Sequence, residues 1–264
     1  MKRNNMCMYM VTHKPVNFVP NGRTPIFVGK GENKKYYLSD STGDNISNKN
    51  RYYSELTALY WIWKNDTKSN YVSIEHYRRF FMDPNSLFPK IISKSKFDSL
   101  LIDNKKIVVP QKQKWSVSIG THYKTNHSTK DYNNVVKIIQ EICPEYLEDF
   151  NKIMNGHEIY MFNMMGMPKE KFDEYCKWLF SILFKLESVT DLSKRSSYQQ
   201  RAYGFMSERL FNVWIKHNIS NDDIVELPVY YLTDNKLKTI LKSLKARLYR
   251  KPYVPVKTTE GLTQ

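Results

Sequence analysis

The stretch CMYMVTHKP, residues 7–15, decides how the rest of the chain is read. Cys7 to Thr12 form an apolar run of strand length that stops at the polar turn His13-Lys14-Pro15. YVSIEHYRR, residues 71–79, repeats the plan, with a strand over 71–76 running into Tyr77-Arg78-Arg79. Between them Leu56, Leu59, Tyr60 and Trp63 recur at i, i+3, i+4 and i+7, which predicts a helix over 52–64. Residues 25–28, 36–38 and 106–110 read as further strands, and 225–232 as a late one. Ser128 and Asp131 make a capping box before a helix that runs to Ile142. Pro144 opens another helix, which Gly156 ends. Residues 158–166 fit either element and read as strand by preference. Two long helices follow, one from Pro168 to Leu186 with Phe172, Tyr175, Cys176, Leu179, Phe180 and Leu183 on one face, the other over 198–217. Strands and helices alternate early and helices cluster late. The expected architecture is an α/β sandwich around a mostly parallel sheet.

The length of 264 residues suits one domain over 1–235 with a basic appendage over 236–264. An aromatic content of 14% excludes a disordered or low-complexity chain. The cysteines Cys7, Cys143 and Cys176 are scattered and odd in number. They offer neither a disulfide framework nor a zinc pattern, and point to a reducing, cytoplasmic compartment. The apolar run Met6–Val11 is too short for a secretory signal, and no run approaches the roughly 18 apolar residues of a membrane span. A soluble or peripheral protein is expected.

The net charge of +15 is uneven. KLKTILKSLKARLYRK, residues 236–251, holds seven basic residues and no acidic one. Leu237, Ile240, Leu241, Leu244 and Leu248 form one stripe at helical spacing. A basic helix of this kind suits an anionic membrane surface. The same pattern also describes a terminal helix docked on its own core with a solvated basic face. Nucleic acid is a weaker third reading, because no zinc knuckle, helix-turn-helix or aromatic RNA-binding motif accompanies the charge, so no nucleic-acid partner is expected.

No dinucleotide GxGxxG, phosphate-loop GxxxxGK[ST] or GxSxG elbow occurs, and neither does an Asp-x-Asp metal clamp. Four polar stretches remain. Thr12-His13-Lys14 ends a strand, where open α/β sheets bind ligands, unless it is an ordinary loop. Ser39–Asn50 carries Asp40, Asp44 and Asn45, which suit sugar hydroxyls or a helix-capping turn equally well. His76, Arg78 and Arg79 suit a diphosphate clamp that replaces a metal, or a surface ion-pair cluster. In SYQQRAYGFMSERL, residues 197–210, Arg201, Gly204 and Glu208 share one helical face; the glycine opens a notch for a ligand or, as the favoured reading, for a neighbouring helix. His122 and His127 make a poor metal site, so no metal ligand is assigned.

The ordered set VTHKP (11–15), TGDNISNKN (42–50), SELTALYWIWKN (54–65), EHYRRFF (75–81), MFNMMGM (161–167), FDEYCKWLF (172–180) and the 197–210 segment resembles one family. It is similar to the bacterial exopolysaccharide and capsule biosynthesis family long labelled a domain of unknown function, whose members include β-galactofuranosyltransferases. The likeness covers residues 8–232. It implies a GT-A-like, Rossmann-type α/β/α sandwich with a helical C-terminal part. It implies a glycosyltransferase that moves a sugar, galactofuranose as best guess, from a UDP-sugar to a surface polysaccharide or polyprenyl-linked glycan. A non-catalytic nucleotide-sugar- or glycan-binding subunit of a polysaccharide assembly complex is the alternative. The resemblance places Thr12, His13 and Lys14 at the nucleotide, and His76, Arg78 and Arg79 where relatives of this fold carry metal-binding acids. With no Asp-x-Asp in the chain, metal-independent chemistry on a UDP-sugar donor is favoured, and a divalent metal is the less favoured alternative. Gln199, Arg201, Gly204, Ser207, Glu208 and Arg209 carry over from the last motif. His-Glu-Ile-Tyr at 157–160 departs from the family pattern, so His157 receives no role. Glu208 and Asp44 are the candidate bases, with Asp40, Asn45, Gln199, Arg201 and Gly204 toward sugar or acceptor. A membrane-borne acceptor implies a peripheral location on the inner face of the plasma membrane, through 236–251.

Overall fold

The computed structural model describes residues 5–103 and 106–248. In chain order its elements are β1 (Met6–Thr12), β2 (Arg23–Phe27), β3 (Leu38–Ser39), α1 (Asn50–Tyr53), α2 (Leu56–Asn65), β4 (Tyr71–His76), β5 (Arg79–Phe81), α3 (Lys94–Asp98), β6 (Ile107–Pro110) and β7 (Gln113–Lys114). Then come α4 (Ile119–Asn126), α5 (Thr129–Ile142), α6 (Leu147–Asn155), β8 (Glu158–Ile159), β9 (Met165–Pro168), α7 (Lys169–Ser188), α8 (Ala202–Asn218), β10 (Ile224–Leu227), β11 (Val229–Tyr231) and α9 (Lys236–Leu248).

The main sheet runs β10-β6-β9-β4-β1-β2-β3. β1 lies between β4 and β2 and pairs with both in parallel, while β9 runs antiparallel to its neighbours β4 and β6. The alternation of β1 explains its central position. Tyr9 and Val11 enter the large core beneath the helices, and Met6 and Met8 enter a smaller core with Phe81, Phe97 and Leu101. Both sheet faces are therefore covered, as parallel strands require. Every residue expected on the inner face of α7 is buried, and α8 beside it is buried on nearly all sides.

Glu75 of the β4 motif is internal to the fold. It is fully buried and pairs with Arg23 at 2.8 Å, and its Oε1 accepts from the Phe81 N–H. A buried pair persists only when its remaining lone pairs are met, and here the backbone meets them.

Four predicted elements are divided. The 52–64 helix breaks at Ser54, whose φ of +52° and ψ of −127° no helix accepts, giving α1 and α2. The 225–232 strand splits at Pro228, so β10 pairs in parallel with β6 and β11 antiparallel with β5. Within 158–166 only Glu158–Ile159 and the start of β9 are strand; Phe162 and Asn163 turn the chain with φ of +78° and +49°. The 198–217 helix starts as a 3-10 turn over Gln199–Arg201. The strand expected at 36–38 is Leu38–Ser39. β5 and α4 had no periodic signal, being short. Residues 249–251 of the basic stretch and the tail beyond, expected to be loose, lie outside the described residues.

Candidate active site

A cavity of about 920 Å³ opens beyond the carboxyl ends of β1 and β4. In an open α/β sheet this edge binds ligands, because strand-end loops there are free to carry polar side chains. β1 delivers Thr12 and His13, and β4 delivers His76, Tyr77, Arg78 and Arg79. The break at Ser54 aims Ser54 and Glu55 at the same space, and α8 contributes Phe205, Glu208 and Arg209.

Glu208 sits at the inner wall. Its Oε1 accepts from the Phe162 N–H at 3.0 Å and its Oε2 from Arg209 Nη1 at 3.1 Å. Burial pushes the carboxyl pKa up; Arg209 opposes that shift and neighbouring Glu55 adds to it. The Phe162 carbonyl accepts from His76 Nε2 at 2.5 Å, which fixes the proton on that nitrogen. Burial lowers the His76 pKa. Asn163 Nδ2 donates to Glu55 Oε1 at 2.8 Å and to Ser207 Oγ at 3.0 Å. The left-handed Phe162-Asn163 turn thus ties three elements of the wall together.

The opposite character comes from guanidinium groups. Arg51, Arg78, Arg79, Arg201, Arg209 and Lys242 line the cavity against only Glu55 and Glu208. Arg51, Arg78, Arg79 and Arg201 pair with no carboxylate among the described residues. Arg79 rests over the Phe162 ring at 4.4 Å, and its buried Nε has no hydrogen-bond partner among the described residues. Arg78 and Lys14 flank the Tyr77 ring at 5.2 Å and 5.7 Å. Burial is the larger cause that lowers the His13 pKa, and the positive field of Lys14, Arg78 and Arg201 adds to it. Such a field in a concave site selects a polyanion.

The predicted residues divide by position. Thr12, His13, His76, Arg78, Arg79, Arg201 and Glu208 line the cavity. Lys14 stands beside it over Tyr77. Asp44 does not reach it, because Tyr60 donates to Asp44 Oδ1 and Asn65 holds the Asp44 backbone on the far side of α2. Asn45 donates to the Ser41 and Gly43 carbonyls and shapes that same loop. Asp40 is buried at the end of β3, and burial raises its pKa to about 6. Gln199 donates to the Asn126 carbonyl and holds α4. The Gly204 notch is filled by α1, with Ser54 Oγ 3.5 Å from where a Cβ would lie. This contact is what the helix-packing reading of that glycine expects.

Sequence reasoning missed Glu55, Arg51, Trp115, His122 and His127, all of which line the cavity. Burial with Arg209 lowers His122 to about 4, and burial with Arg209 and His122 lowers His127 to about 3, so both stay neutral at ordinary pH. His122 lies in α4 and His127 follows its last residue, and only the packing of α4 against α8 brings His122 to Arg209 and His127 to Phe205. Among the described residues no group of three or more His, Cys, Asp or Glu side chains is placed to hold a metal ion. Both cavity carboxylates accept hydrogen bonds from protein donors.

The comparisons agree with this geometry. The chain is similar to the solved apo structure of the WbbM bifunctional glycosyltransferase, at 28% identity and a TM-score of 0.77, over 88% of this chain and 46% of that one. The chain therefore spans about half of that protein's length. A likeness to the mannosyltransferase Ktr4p of S. cerevisiae, at 10% identity, 99% and 75% coverage and a TM-score of 0.35, is too weak to argue from. No curated protein matches. Sheet order, strand-end cavity and structural likeness define a GT-A-like α/β fold. The chain belongs to the family described as a domain of unknown function, DUF4422, which matches residues 7–219. No described helix is long and apolar enough to cross a membrane.

Proposed function

We propose that the chain is a glycosyltransferase that moves a sugar, best read as galactofuranose, from a UDP-sugar to a surface polysaccharide or lipid-linked glycan with inversion at the anomeric carbon. The observation that carries the reading is four arginines without carboxylate partners among the described residues, facing the half-buried Glu208 across one cavity at the strand carboxyl ends. The likeness to a glycosyltransferase over most of the chain supports it.

In this reading Arg78 and Arg79 hold the diphosphate, with Arg201 and His13 at its flank. Glu208 takes the proton of the acceptor hydroxyl. The hydroxyl oxygen forms its bond to the anomeric carbon as the bond from that carbon to the diphosphate oxygen breaks, and UDP leaves with the electron pair. The raised Glu208 pKa strengthens it as a base, and its free lone pairs remain available beside the two accepted hydrogen bonds. Arginines then do electrostatically what a metal does in other transferases: they hold charge that grows as the bond breaks. Asp44, off the cavity, has no part in this step.

The reading also sets the chain on the inner face of the plasma membrane, next to a polyprenyl-linked acceptor; the basic helix α9 beside the cavity supports it. The test is a panel of nucleotide sugars scored for thermal stabilisation and for slow hydrolysis, with and without chelator. Stabilisation by UDP-galactofuranose or another UDP-sugar that survives chelator is expected. Stabilisation without any hydrolysis or transfer would favour the binding-subunit alternative, and no stabilisation by any nucleotide sugar would sink the donor assignment.

A further inference from the structure

α9 is attached to the protein by its polar side, the reverse of an ordinary terminal amphipathic helix. Thr239 and Ser243 are buried, and their hydroxyls accept from the Thr233 and Tyr231 N–H groups at 2.9 Å and 3.0 Å. Arg247, one turn on along the same stripe, donates to the carbonyls of Ser86 and Pro84 at 2.5 Å and 2.8 Å. A residue two positions from such a stripe points to the opposite side. There Leu237 and Leu241 are 72% and 60% exposed.

The loop that Arg247 grips shows the same character. Leu87 and Phe88 are 83% and 73% exposed, among the most exposed large apolar side chains described. They lie about 150 residues before α9 in sequence, yet Arg247 holds the two segments together. Four large apolar side chains thus stand on two adjoining segments, with exposed Lys90, Lys238 and Lys245 among them. α9 itself has no acidic residue. From the same helix Lys242 reaches back to the cavity, over the Tyr231 ring at 4.6 Å.

We propose that α9 and the 84–88 loop form one composite docking face for an anionic lipid bilayer, with Leu87, Phe88, Leu237 and Leu241 entering the headgroup boundary and the lysines meeting lipid phosphates. Charge complementarity selects this occupant: apolar points interspersed with exposed lysines, on a helix with no acidic residue, match an anionic bilayer. They mismatch a second copy of the chain, which would bring like charge to like charge. The face rests on the membrane side of the function proposed above and adds its second half, which lies far from the basic helix in sequence. It also sets the cavity mouth beside the bilayer, through Lys242.

The test is sedimentation of the full chain with phosphatidylcholine vesicles containing roughly one-third phosphatidylglycerol, against phosphatidylcholine alone, with no nucleotide sugar present. Its outcome therefore stands apart from the transferase reading. Binding to the anionic vesicles only is expected, with a loss of at least about tenfold for Leu87→Ser with Phe88→Ser, and a similar loss for Leu237→Ser with Leu241→Ser. These side chains are exposed, so folding is expected to be kept, as circular dichroism and thermal denaturation would report. Unchanged binding by the loop pair would overturn the composite face and leave the helix alone. Equal binding to both vesicle types would remove the charge argument. Self-association without vesicles that the loop pair abolishes would make the face a contact between copies and overturn the proposal.

Discussion

The backbone N–H of Phe162 donates to Glu208 Oε1 at 3.0 Å, and the residue that makes this bond has a φ of +78°. A bulky residue in that region costs of order 1–3 kcal/mol, which persists only where the surroundings over-determine it. Here they do: the Phe162 carbonyl is held by His76, its ring carries Arg79, and the next side chain, Asn163, bridges Glu55 and Ser207. The turn orients the carboxylate, so a strained backbone and a candidate base are parts of one device.

Glu208→Gln removes the base and keeps an acceptor for the Phe162 N–H. We expect turnover to fall by about 10²–10⁴-fold while donor affinity changes little. Steady-state rates and calorimetric binding of the same UDP-sugar separate the two. Asp44→Asn is the contrast, with turnover near wild type, since that carboxylate faces Tyr60 and Asn65. Near-normal turnover in Glu208→Gln would remove the assignment and turn attention to Glu55.

Arg78→Ala and Arg79→Ala each remove charge-assisted hydrogen bonds to the diphosphate. A loss of about 1.5–3 kcal/mol, roughly 10- to 150-fold in donor affinity, is expected for each. UDP binding read by calorimetry checks it. Losses confined to the sugar-bearing donor and absent for UDP would move both arginines away from the phosphates.

Asn163→Ala leaves Glu55 Oε1 and Ser207 Oγ without their buried donor and puts a less tolerant residue at a φ of +49°. The expected cost is about 2–4 kcal/mol of folding stability, read by denaturant midpoint at constant slope.

Asp40 is buried, with one carboxylate oxygen lacking a partner among the described residues and a pKa raised to about 6 from 3.8. Between those values the folded state holds a proton that the unfolded state has lost. Ionisation of Asp40 therefore costs stability above pH 6, and the cost fades as pH falls toward 4. Asp40→Asn is expected to stabilise the protein by about 1–3 kcal/mol at pH 7.5, with the gain gone near pH 4. Melting curves of both proteins across that range test it, and a gain independent of pH would contradict the ionisation account.

Two glycines separate close packing from permissive packing. A Cβ at Gly166, in β9, would lie 2.6 Å from Phe97 Cζ, and Gly166→Ala is expected to cost about 1–3 kcal/mol. At Gly204 the nearest atom is 3.5 Å away, and alanine there gains helix propensity worth up to about 1 kcal/mol. Thermal denaturation of the pair gives opposite signs, if the notch serves packing and not a ligand.

Local chemistry in the sequence determined the layered α/β architecture, β1 and β4 with their polar ends, the buried face of α7 and the basic character of α9. Each is a matter of periodicity or composition within one segment, and periodicity is set by the backbone geometry of that segment alone. Tertiary structure decided what no segment contains. Glu75 belongs to the same motif as Arg79, yet the chain reverses between them, so that Glu75 lies in β4 and Arg79 in the antiparallel β5. One is a buried partner of Arg23 while the other faces the cavity. Asp44 and Glu208 both stand in polar motifs, and only packing sends one to the outside of α2 and the other to the cavity wall. The breaks at Ser54 and Phe162 are invisible to helical or strand spacing, because left-handed backbone at a non-glycine residue is imposed by long-range partners such as Arg201 on Ser54 and His76 on Phe162. The site is assembled by contacts across as many as 147 residues of sequence, and the sequence of any one stretch carries no record of what will be packed against it.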